Sequence, residues 1–301
     1  MVTKKILIMT MSESQSQYET ERVIEEATKM GIAAKRGLYR ELSFDLINGA
    51  TKVFWKGEEL GKENLLGVWF RVAGTKSGKY VLAKNMMIKF LKDKVFCVNS
   101  EGYLRWQRMG KILQYMEFVK AGIPVVPTKI FYTMDQIRNS KISEDFGWPV
   151  IVKHERGFQG KSVKKLDDEQ EMLKFLTRID DKNLGMFMWQ KFLPTKWDLR
   201  IIVLKGRAIG AMKRTAVGDE FRSNYSLGGK VESWDLSAGD KALAEKVAVM
   251  CGLDYGGVDI MKDNEGKSYV LEVNRQCQFK GFEESTKINV AKKVVEMILN
   301  R

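Results

Sequence analysis

The spacing of apolar residues changes along the chain, and each spacing predicts a different element. An unbroken apolar run at 5–10 predicts a buried parallel strand, and helical spacing over 18–30, which ends at Gly31, predicts a helix. The other N-terminal elements are expected as a hairpin at 51–60, a strand at 65–72, a helix at 79–91 and a strand at 96–98. This start indicates an α/β domain that is Rossmann-like in pattern only, because no G-x-G-x-x-G follows the first strand.

The residues after 98 predict a mixed architecture. Ser100 is placed to cap a long helix that runs through Lys120 and stops at Gly122. Strands are expected at 128–132, 148–153, 163–166, 186–193, 198–204 and 208–214, a hairpin at 257–274, and helices from Asp167 or Asp168 to about 179, at 238–251 and at 288–299. Strands joined by turns as short as Lys205-Gly206 pair antiparallel, so this part of the chain is α+β.

Three polar side chains interrupt the apolar hairpin at 257–274. Asp259 lies in the first strand, while Glu272 and Asn274 lie two residues apart in the second and share a face. Pairing of the strands can bring Asp259 beside them. Oxygen ligands of this kind suit Mg²⁺ shared with substrate phosphates and do not suit zinc. The alternative is a hairpin whose acidic groups face water, and the hairpin alone does not decide between the two.

Further segments have the chemistry of a phosphate site. Lys153 ends an apolar strand before a turn with Gly157 and Gly160, where backbone N–H groups and a fixed cation can approach a phosphate. The Walker A pattern is absent, so an ordinary hairpin loop is the alternative. Charged and hydrogen-bonding groups also concentrate in Asp198-Leu199-Arg200, Lys213-Arg214 and Phe221-Arg222-Ser223-Asn224. Such groups can bind a triphosphate and stabilise a transferring phosphoryl group.

Composition narrows the functional classes. The 301 residues suit two or three domains, and the formal net charge of +13 at pH 7 favours polyanionic partners. Lys and Arg are scattered along the chain, which argues against a dedicated nucleic-acid surface. Three widely spaced cysteines indicate neither a disulfide framework nor a zinc site and fit a reducing cytoplasm. No apolar stretch approaches the roughly 18 residues of a membrane span, so neither a span nor an export signal is expected.

The order of these motifs, over about 99–291, resembles the ATP-grasp superfamily and in particular the RimK-type ligases, which add amino acids to a carboxyl terminus. The matching segments are Val152-Lys153, Gly157-Phe158-Gln159-Gly160, Asp198-Leu199-Arg200, Phe221-Arg222-Ser223-Asn224, Gly257-Val258-Asp259-Ile260 and Leu271-Glu272-Val273-Asn274. The resemblance implies an ATP-grasp fold of mixed α/β and α+β class. Its parts would be a Rossmann-like pre-ATP-grasp domain at 1–98, a central domain with the lid at 99–189 and a C-terminal ATP-grasp domain with the metal site at 190–301.

The resemblance also implies a role for each site residue, with ATP between two α+β subdomains. The ATP-binding residues would be Lys111, Lys153, Gly157, Gln159, Gly160, Asp198, Arg222, Ser223 and Asn224, with a hinge at Gln190, Lys191, Phe192 and Leu193 whose backbone reads the purine edge. Asp259, Glu272 and Asn274 would bind Mg²⁺ or Mn²⁺, with two ions expected. Arg200, Arg214 and Arg222 would stabilise the charged reaction centre.

The activity implied by the resemblance is that of an ADP-forming carboxylate–amine ligase in the cytoplasm. A substrate carboxylate attacks the γ-phosphate of ATP to form an acylphosphate, and an amine then displaces phosphate to form an amide. The substrate would be an amino acid, a peptide or a protein terminus. RimK-type relatives often assemble as dimers or tetramers, which allows a homo-oligomer here. His154 is the sole histidine, and a structural or substrate-side role is assigned to it.

One segment departs from the RimK-type pattern. After Asn274 those enzymes usually continue with Ala-Ser-Pro-Gly, whereas this chain continues with Arg275-Gln276-Cys277-Gln278-Phe279, a segment expected to face the acceptor. The Gln278-Phe279 pair and the earlier Val68-Trp69-Phe70-Arg71 look somewhat like the ATP-grasp macrocyclases that join side chains in ribosomally made peptides. A macrocyclase is therefore the alternative within the same chemistry, and a non-catalytic nucleotide-binding protein is a further alternative. Cys277 is interpreted as a small packing residue.

Overall fold

The structure is a computed structural model that describes residues 3–72, 78–106, 110–155, 163–218, 220–223 and 228–300. The predicted site residues Gly157, Gln159, Gly160 and Asn224 lie outside the described residues. Within the described part, the strands form an N-terminal parallel sheet, a small antiparallel sheet beside it, a central sheet and a C-terminal sheet.

The N-terminal sheet is parallel, with strand order β2-β1-β6-β7. Its strands and helices are β1 (Lys5–Thr10), α1 (Gln17–Lys29), β2 (Ala33–Leu38), β6 (Leu65–Phe70), α2 (Lys79–Leu91) and β7 (Phe96–Cys97). Ile6 and Ile8 pack on one face with α1 and with the last helix, α10 (Val290–Leu299), whereas Leu7 and Met9 pack on the other face with α2. Burial on both faces explains the unbroken apolar run of β1.

A small antiparallel sheet is inserted between β2 and β6. It consists of β3 (Leu42–Ile47), β4 (Ala50–Trp55) and β5 (Glu58–Glu59), and a 3-10 helix (Tyr39–Glu41) precedes it. The sequence predicts the β4-β5 hairpin, whose turn at Lys56 and Gly57 has positive φ. It does not predict β3, because Leu46 and Ile47 are exposed at the end of that strand and obscure the alternation of buried and polar residues.

The central sheet is antiparallel, with strand order β10-β9-β11-β8. Its elements are β8 (Thr128–Ile130), α5 (Met134–Arg138), α6 (Ile142–Phe146), β9 (Val150–His154), β10 (Val163–Leu166), α7 (Glu169–Leu176), a 3-10 helix (Asp181–Met186) and β11 (Phe187–Lys191). Of Asp167 and Asp168, the two residues predicted to cap this helix, Asp168 caps α7. It accepts from the backbone N–H of Glu171 at 2.8 Å. The helices pack on one face around Trp189, so Met188 and Gln190 of the same strand point to the opposite face.

The C-terminal sheet is antiparallel, with strand order β14-β13-β12-β15-β16. Its elements are β12 (Trp197–Leu204), β13 (Arg207–Thr215), β14 (Lys230–Trp234), α8 (Ala238–Met250), β15 (Tyr255–Lys262), β16 (Ser268–Asn274) and α9 (Lys280–Thr286), followed by α10. Leu199, Ile201 and Val203 pack with α8 on one face of this sheet. Because α10 packs on the N-terminal sheet, it joins the first and last parts of the chain. The division at 98 and 189 stays a prediction.

The long helix predicted from Ser100 to Lys120 is wrong, because the structure has two helices, α3 (Ser100–Arg105) and α4 (Lys111–Lys120). Trp106 leaves the helical region at φ −126° and ψ 78°, and Gly110 is extended at φ −75° and ψ 162°. Trp106 is buried at this break, so tertiary packing overrides the helical spacing. The break gives α4 an N-terminus of its own, at which Lys111 is the first residue.

Asn99 ties the start of α3 to the C-terminal sheet. Its Oδ1 accepts from the backbone N–H groups of Asp254 and Tyr255 at 2.7 and 2.8 Å, and its Nδ2 donates to the carbonyls of Tyr255 and Arg275 at 2.7 and 3.1 Å. Asn99 is 1% exposed and adopts φ 62°, a conformation that asparagine tolerates better than most residues. The bonds hold the start of β15 next to the end of β16.

Two further findings concern membrane-spanning helices and cysteines. None of the helices in the described ranges is both long and apolar enough to cross a membrane. Cys97, Cys251 and Cys277 are free and buried.

We expect Gly67→Ala to destabilise the protein by about 1–3 kcal/mol, because a side chain at Gly67 would push α10 from the sheet. A Cβ at Gly67 would lie 2.5 Å from Cγ2 of Ile298 and 3.1 Å from the carbonyl oxygen of Phe96. Urea unfolding measures the change. Gly61→Ala is the matched control, since no atom lies within 4 Å of its Cβ. Equal free energies of unfolding for the two variants would contradict the packing described here.

Candidate active site

Charged residues cross one face of the C-terminal sheet. Strand pairing places Arg214 opposite Asp198, Arg200 opposite Asp259, and Asp259 opposite Glu272. Asp198 and Arg200 are two residues apart in β12 and therefore share a face. The charges form a continuous row over β13, β12, β15 and β16, and the predicted pairing of Asp259 with Glu272 is confirmed.

Asp259 is the centre of this charge row. Arg200 donates to its Oδ1 from Nε at 2.8 Å and to its Oδ2 from Nη2 at 2.6 Å, and Arg214 donates to Oδ2 from Nη2 at 2.9 Å. Arg214 also makes two bonds to Asp198, at 2.7 and 2.5 Å. Burial raises the pKa of Asp259, but Arg200 and Arg214 outweigh burial and hold that pKa at about 2. Asp259 is therefore ionised at neutral pH although it is 3% exposed.

Glu272 and Asn274 lie at the β16 end of the row. Asn274 donates from Nδ2 to Oε1 of Glu272 at 2.9 Å, and Nζ of Lys111 lies 3.4 Å from Oε2 of Glu272. Lys111 reaches this carboxylate because it begins α4. The structure thus brings Glu272 and Asn274 together with Asp259, and adds a cation from a different element.

Lys153 belongs to β9 of the central sheet, which lies across from the charge row of the C-terminal sheet. Burial lowers the pKa of Lys153 to about 8, although Glu272, Asp198 and Asp259 attract its charge and act to raise it. The neighbouring His154 packs edge-on against Phe187, with ring centroids 5.0 Å apart. Lys153 is therefore a partly desolvated cation that faces the carboxylates of the C-terminal sheet.

One cleft between the central and C-terminal sheets contains most of the predicted site residues. Its lining includes Lys111, Lys153, Gln190, Lys191, Phe192, Leu193, Asp198, Arg214, Arg222, Ser223, Asp259 and Glu272. Apolar side chains line the same cleft, namely Val126, Ile151, Val163, Met261 and Leu271. Apolar walls suit a purine ring, and the lysines suit phosphate groups.

Three predicted site residues need separate description, because two lie outside the lining of the cleft and one lines it while paired with a carboxylate. Among the described residues, Arg200 and Asn274 are not part of the lining, and they bond to Asp259 and Glu272 instead. Arg222 does line the cleft, but it is paired with Glu220, through bonds of 2.9 and 2.6 Å. Arg222 therefore lies at the cleft with its guanidinium held by Glu220.

A residue that the sequence did not reveal, Glu155, supports the position of Lys111. Its Oε2 accepts from the backbone N–H of Ile112 at 2.7 Å, so Glu155 caps α4 from the end of β9. Gly110 leaves room for this carboxylate, since a Cβ at Gly110 would overlap Oε1 of Glu155. The only sequence signal is a glycine directly before a helical lysine, and spacing cannot reveal a cap that comes from another element.

Part of the segment that departs from the RimK-type pattern is packed inside the protein, whereas Gln278 is exposed. Arg275 donates from Nη1 to the carbonyls of Gly102 and Trp106 at 2.9 and 2.7 Å. Cys277 is 3% exposed and Phe279 is fully buried, which supports the interpretation of Cys277 as a packing residue. The expectation that the whole segment faces an acceptor is corrected, because its buried residues connect the C-terminal sheet to α3 and the core.

The donor set fits Mg²⁺ together with a nucleotide. The described ranges contain no group of three or more His, Cys, Asp or Glu side chains that could hold a metal. An ion here would depend on two carboxylates, one amide and the oxygens of a phosphate chain, as is typical of Mg²⁺. Lys111 and Lys153 supply the cations that phosphates need.

Residues 110–298 match the RimK-like ATP-grasp domain, which is more than half of the chain. The chain belongs to the RimK-like ATP-grasp family. All described site residues, from Lys111 to Asn274, lie within the matched range. The family prediction and the mixed α/β and α+β fold class are therefore confirmed, and ATP-grasp ligases use ATP and Mg²⁺.

Curated relatives of the chain are named as ligases or synthases. A probable alpha-L-glutamate ligase of Rhodopirellula baltica is 27% identical over 282 residues, which are 93% of this chain and 67% of that protein. Beta-citrylglutamate synthase B of Danio rerio is 29% identical over 64% of this chain and 48% of its own length. The chain thus spans about half to two thirds of the length of these relatives.

Solved structures of ATP-grasp ligases share the fold over the whole chain. The ligase PsnB complexed with a minimal precursor has a TM-score of 0.78 and 19% identity, with 99% of each chain covered. PsnB has also been solved with Mg and ADP. The macrocyclase MdnC of Microcystis aeruginosa MRC, bound to its precursor peptide MdnA, has a TM-score of 0.73 and 15% identity, with 99% of this chain and all of MdnC covered.

We expect ATP binding to weaken as the pH rises through the pKa of Lys153, about 8, because its positive charge is present below that pH and lost above it. Calorimetry should show the Kd of ATP increasing between about pH 7.5 and about 9.5, by at most about tenfold per pH unit. Lys153→Arg should remove most of this dependence, since a guanidinium stays protonated. A wild-type Kd that does not change over this range would contradict the prediction.

We expect Gly110→Ala to displace Glu155 from the N-terminus of α4, at a cost of about 0.5–2 kcal/mol in stability. The steric cost itself is small, because the overlapped atom ends a flexible side chain. Binding of ATP should weaken with it, since Lys111 moves when α4 loses its cap. Thermal unfolding and calorimetry measure the two effects, with Gly239→Ala as the control, whose nearest atom lies at 4.0 Å. Wild-type stability and affinity in Gly110→Ala would rule out this role of Glu155.

Proposed function

We propose that this chain is an ATP- and Mg²⁺-dependent, ADP-forming carboxylate–amine ligase that forms an amide bond through an acylphosphate. Its substrate is an amino acid, a peptide or a protein terminus. The observation that carries the proposal is the cleft in which Lys111 and Lys153 face the charge row from Asp198 to Glu272. The relatives named as glutamate ligases support the same reaction class.

In this proposal the apolar part of the cleft holds the adenine and the charged part holds the phosphates. The hinge 190–193 lies beside Ile151 and Val126, which suits a purine. Lys111 and Lys153 neutralise phosphate oxygens, Asp198 lies at the nucleotide, and Arg222 and Ser223 lie near its phosphates. Gly157, Gln159, Gly160 and Asn224 keep their predicted ATP-binding roles.

Asp259, Glu272 and Asn274 are proposed to hold Mg²⁺ or Mn²⁺, with two ions. When bound, the metal neutralises charge on the phosphates. Asp259 retains one oxygen, Oδ1, with a single bond from Arg200, so it can accept a further partner there.

The arginines act on the reacting groups through electrostatics and position. Arg214 lines the cleft and is bonded to the carboxylates of Asp198 and Asp259. Its charge is therefore held in place before a substrate arrives. Preorganised cations stabilise the negative charge of a transferring phosphoryl group more effectively than mobile ones. Arg200 positions Asp259, and Arg222 contributes its charge from the wall of the cleft, where Glu220 holds it. No protein nucleophile is needed, because the substrate carboxylate attacks the phosphorus and the amine attacks the acyl carbon.

A macrocyclase is the second candidate, and one observation favours it. Structures of precursor-binding ATP-grasp ligases align with this chain over nearly the full length of both proteins. The chemistry is the same, but carboxylate and amine would come from side chains of one peptide.

The three buried free cysteines support a reducing, cytoplasmic location as part of this proposal. Assembly as a dimer or tetramer stays a prediction.

Release of ADP with candidate substrates tests the function. ADP formed with an amino acid and a peptide, together with a product heavier by that amino acid less one water, supports the ligase. Loss of one water from a single peptide favours the macrocyclase. Absence of ADP with every amino acid and peptide favours a nucleotide-binding protein without turnover.

Glu272→Gln should abolish Mg²⁺-dependent ADP formation, because the amide lacks the charge that holds the ion. Calorimetry should also show that Mg²⁺ no longer strengthens ATP binding. Glu265→Gln is the matched control, since Glu265 is exposed in the turn between β15 and β16. Unchanged Mg²⁺ dependence in Glu272→Gln would disprove the metal assignment.

A further inference from the structure

One edge of the small N-terminal antiparallel sheet is open and apolar. This edge is β3, a strand of six residues with no proline and a single charged residue, Asp45. Leu46 and Ile47, at the end of the strand, are 69% and 60% exposed. The opposite edge, β5, consists of two glutamates, and charges on a short strand are a common protection against edge pairing. The β3 edge lacks this protection.

The hairpin decides which backbone groups of β3 face outward. The turn Asn48-Gly49 joins β3 to β4, and its φ values of 52° and 76° are typical of a type I′ turn. Ile47 and Ala50 close such a turn as a hydrogen-bonded pair, so every second residue of β3 bonds to β4. The bond from the backbone N–H of Lys56 to the carbonyl of Glu41, at 3.1 Å, continues this alternation. The residues whose backbone groups point away from β4 are therefore Leu42, Phe44 and Leu46.

The same three residues form the apolar face of β3. Side chains alternate along a strand, so Leu42, Phe44 and Leu46 share one face, and Ser43 and Asp45 lie on the other. Leu42 and Phe44 pack against the N-terminal core, whereas Leu46 extends their row into solvent. Among the described residues, no group bonds to the outward backbone of Phe44 or Leu46. A further strand would find both free backbone groups and an apolar face here.

We propose that β3 pairs antiparallel with β3 of a second copy of this chain, around a two-fold axis at Phe44. Phe44 then faces Phe44 of the second copy, Leu42 faces Leu46, and one sheet of six strands results. Ser43 lies opposite Asp45 of the second copy, in the type of pair whose Cα atoms are about 4.5 Å apart. The Ser43 hydroxyl can donate to that carboxylate.

Charge selects this register over its neighbours. An axis at Asp45 would keep the faces aligned but would oppose two carboxylates, and like charges directly opposite each other are destabilising. A pairing shifted by one residue would set the apolar face of one strand beside the polar face of the other. The strand is thus complementary to itself in both polarity and charge, which favours a second copy over an unrelated peptide. The inference is independent of the proposed function, since β3 contributes no residue to the lining of the cleft.

Sedimentation equilibrium of the full chain tests the association, at protein concentrations from about 1 to about 300 μM, because an interface this small is expected to be weak. The average mass of the wild type should rise from 34.5 kDa toward twice that value. Leu46→Lys should raise the Kd of the dimer at least about tenfold, since each dimer buries two Leu46 side chains. Leu82→Lys is the matched control, because Leu82 of α2 is 67% exposed. Circular dichroism checks that both variants are folded.

Cross-linking tests the register. Ser43→Cys protein mixed with Asp45→Cys protein should form a disulfide-linked dimer under mild oxidation, because Cα atoms about 4.5 Å apart allow a disulfide. Each variant alone should cross-link less, since residues of the same number lie diagonally across the axis. A non-reducing gel separates the products, and the native cysteines are buried.

A wild type that stays monomeric over the whole range overturns the proposal and leaves the edge to an extended peptide from another protein. A dimer that Leu46→Lys weakens no more than Leu82→Lys also overturns it, because another surface would then hold the copies together. Stronger cross-linking of Asp45→Cys alone than of the mixture would place the axis at Asp45 and overturn the register. None of these results affects the proposed function, which the release of ADP tests separately.

Discussion

The buried charges of Asp198, Arg214, Asp259 and Arg200 are the constraint on which the site depends. A single buried charge is strongly destabilising, whereas two carboxylates bonded to two guanidinium groups are neutral together and satisfy each other's hydrogen bonds. This pairing requires the register that places β12 opposite both β13 and β15. A slip of one residue would turn the row toward the opposite face, so the charge row and the register specify each other.

The rest of the cleft is positioned around that row by elements with cores of their own. The central sheet packs its helices around Trp189 and directs Lys153 and Gln190 to the opposite face. Glu155 connects the end of β9 to α4 and so positions Lys111 against Glu272. The cations thus come from the central part of the chain and the carboxylates from the C-terminal sheet. Phosphate groups between them would meet the lysines on one side and, on the other, the positive charge of a metal ion that the carboxylates would hold, which is the physical requirement of phosphoryl transfer to a carboxylate.

The segment that follows Asn274 and departs from the RimK-type pattern is less accessible to a substrate than its sequence alone indicates. Arg275 is bonded to backbone carbonyls of α3 and of Trp106, and Cys277 is packed against Gly257 and bonded to the hydroxyl of Tyr255. These residues join the charge row to the N-terminal part of the protein. Differences from RimK-type enzymes in this segment therefore reflect how the parts of the chain are held together, as well as what the enzyme binds.

The sequence by itself determined the elements whose signals are local: the buried run of β1, the bounds of α2, and the hairpin that pairs Asp259 with Glu272. The order of the motifs was also sufficient for the family. Only the tertiary structure decided the break between α3 and α4, the bonds of Arg200 to Asp259, and the cap that Glu155 provides for α4. Each of these depends on groups far apart in the chain, and a side chain's hydrogen-bond partner is chosen by burial and geometry that spacing along a sequence does not contain.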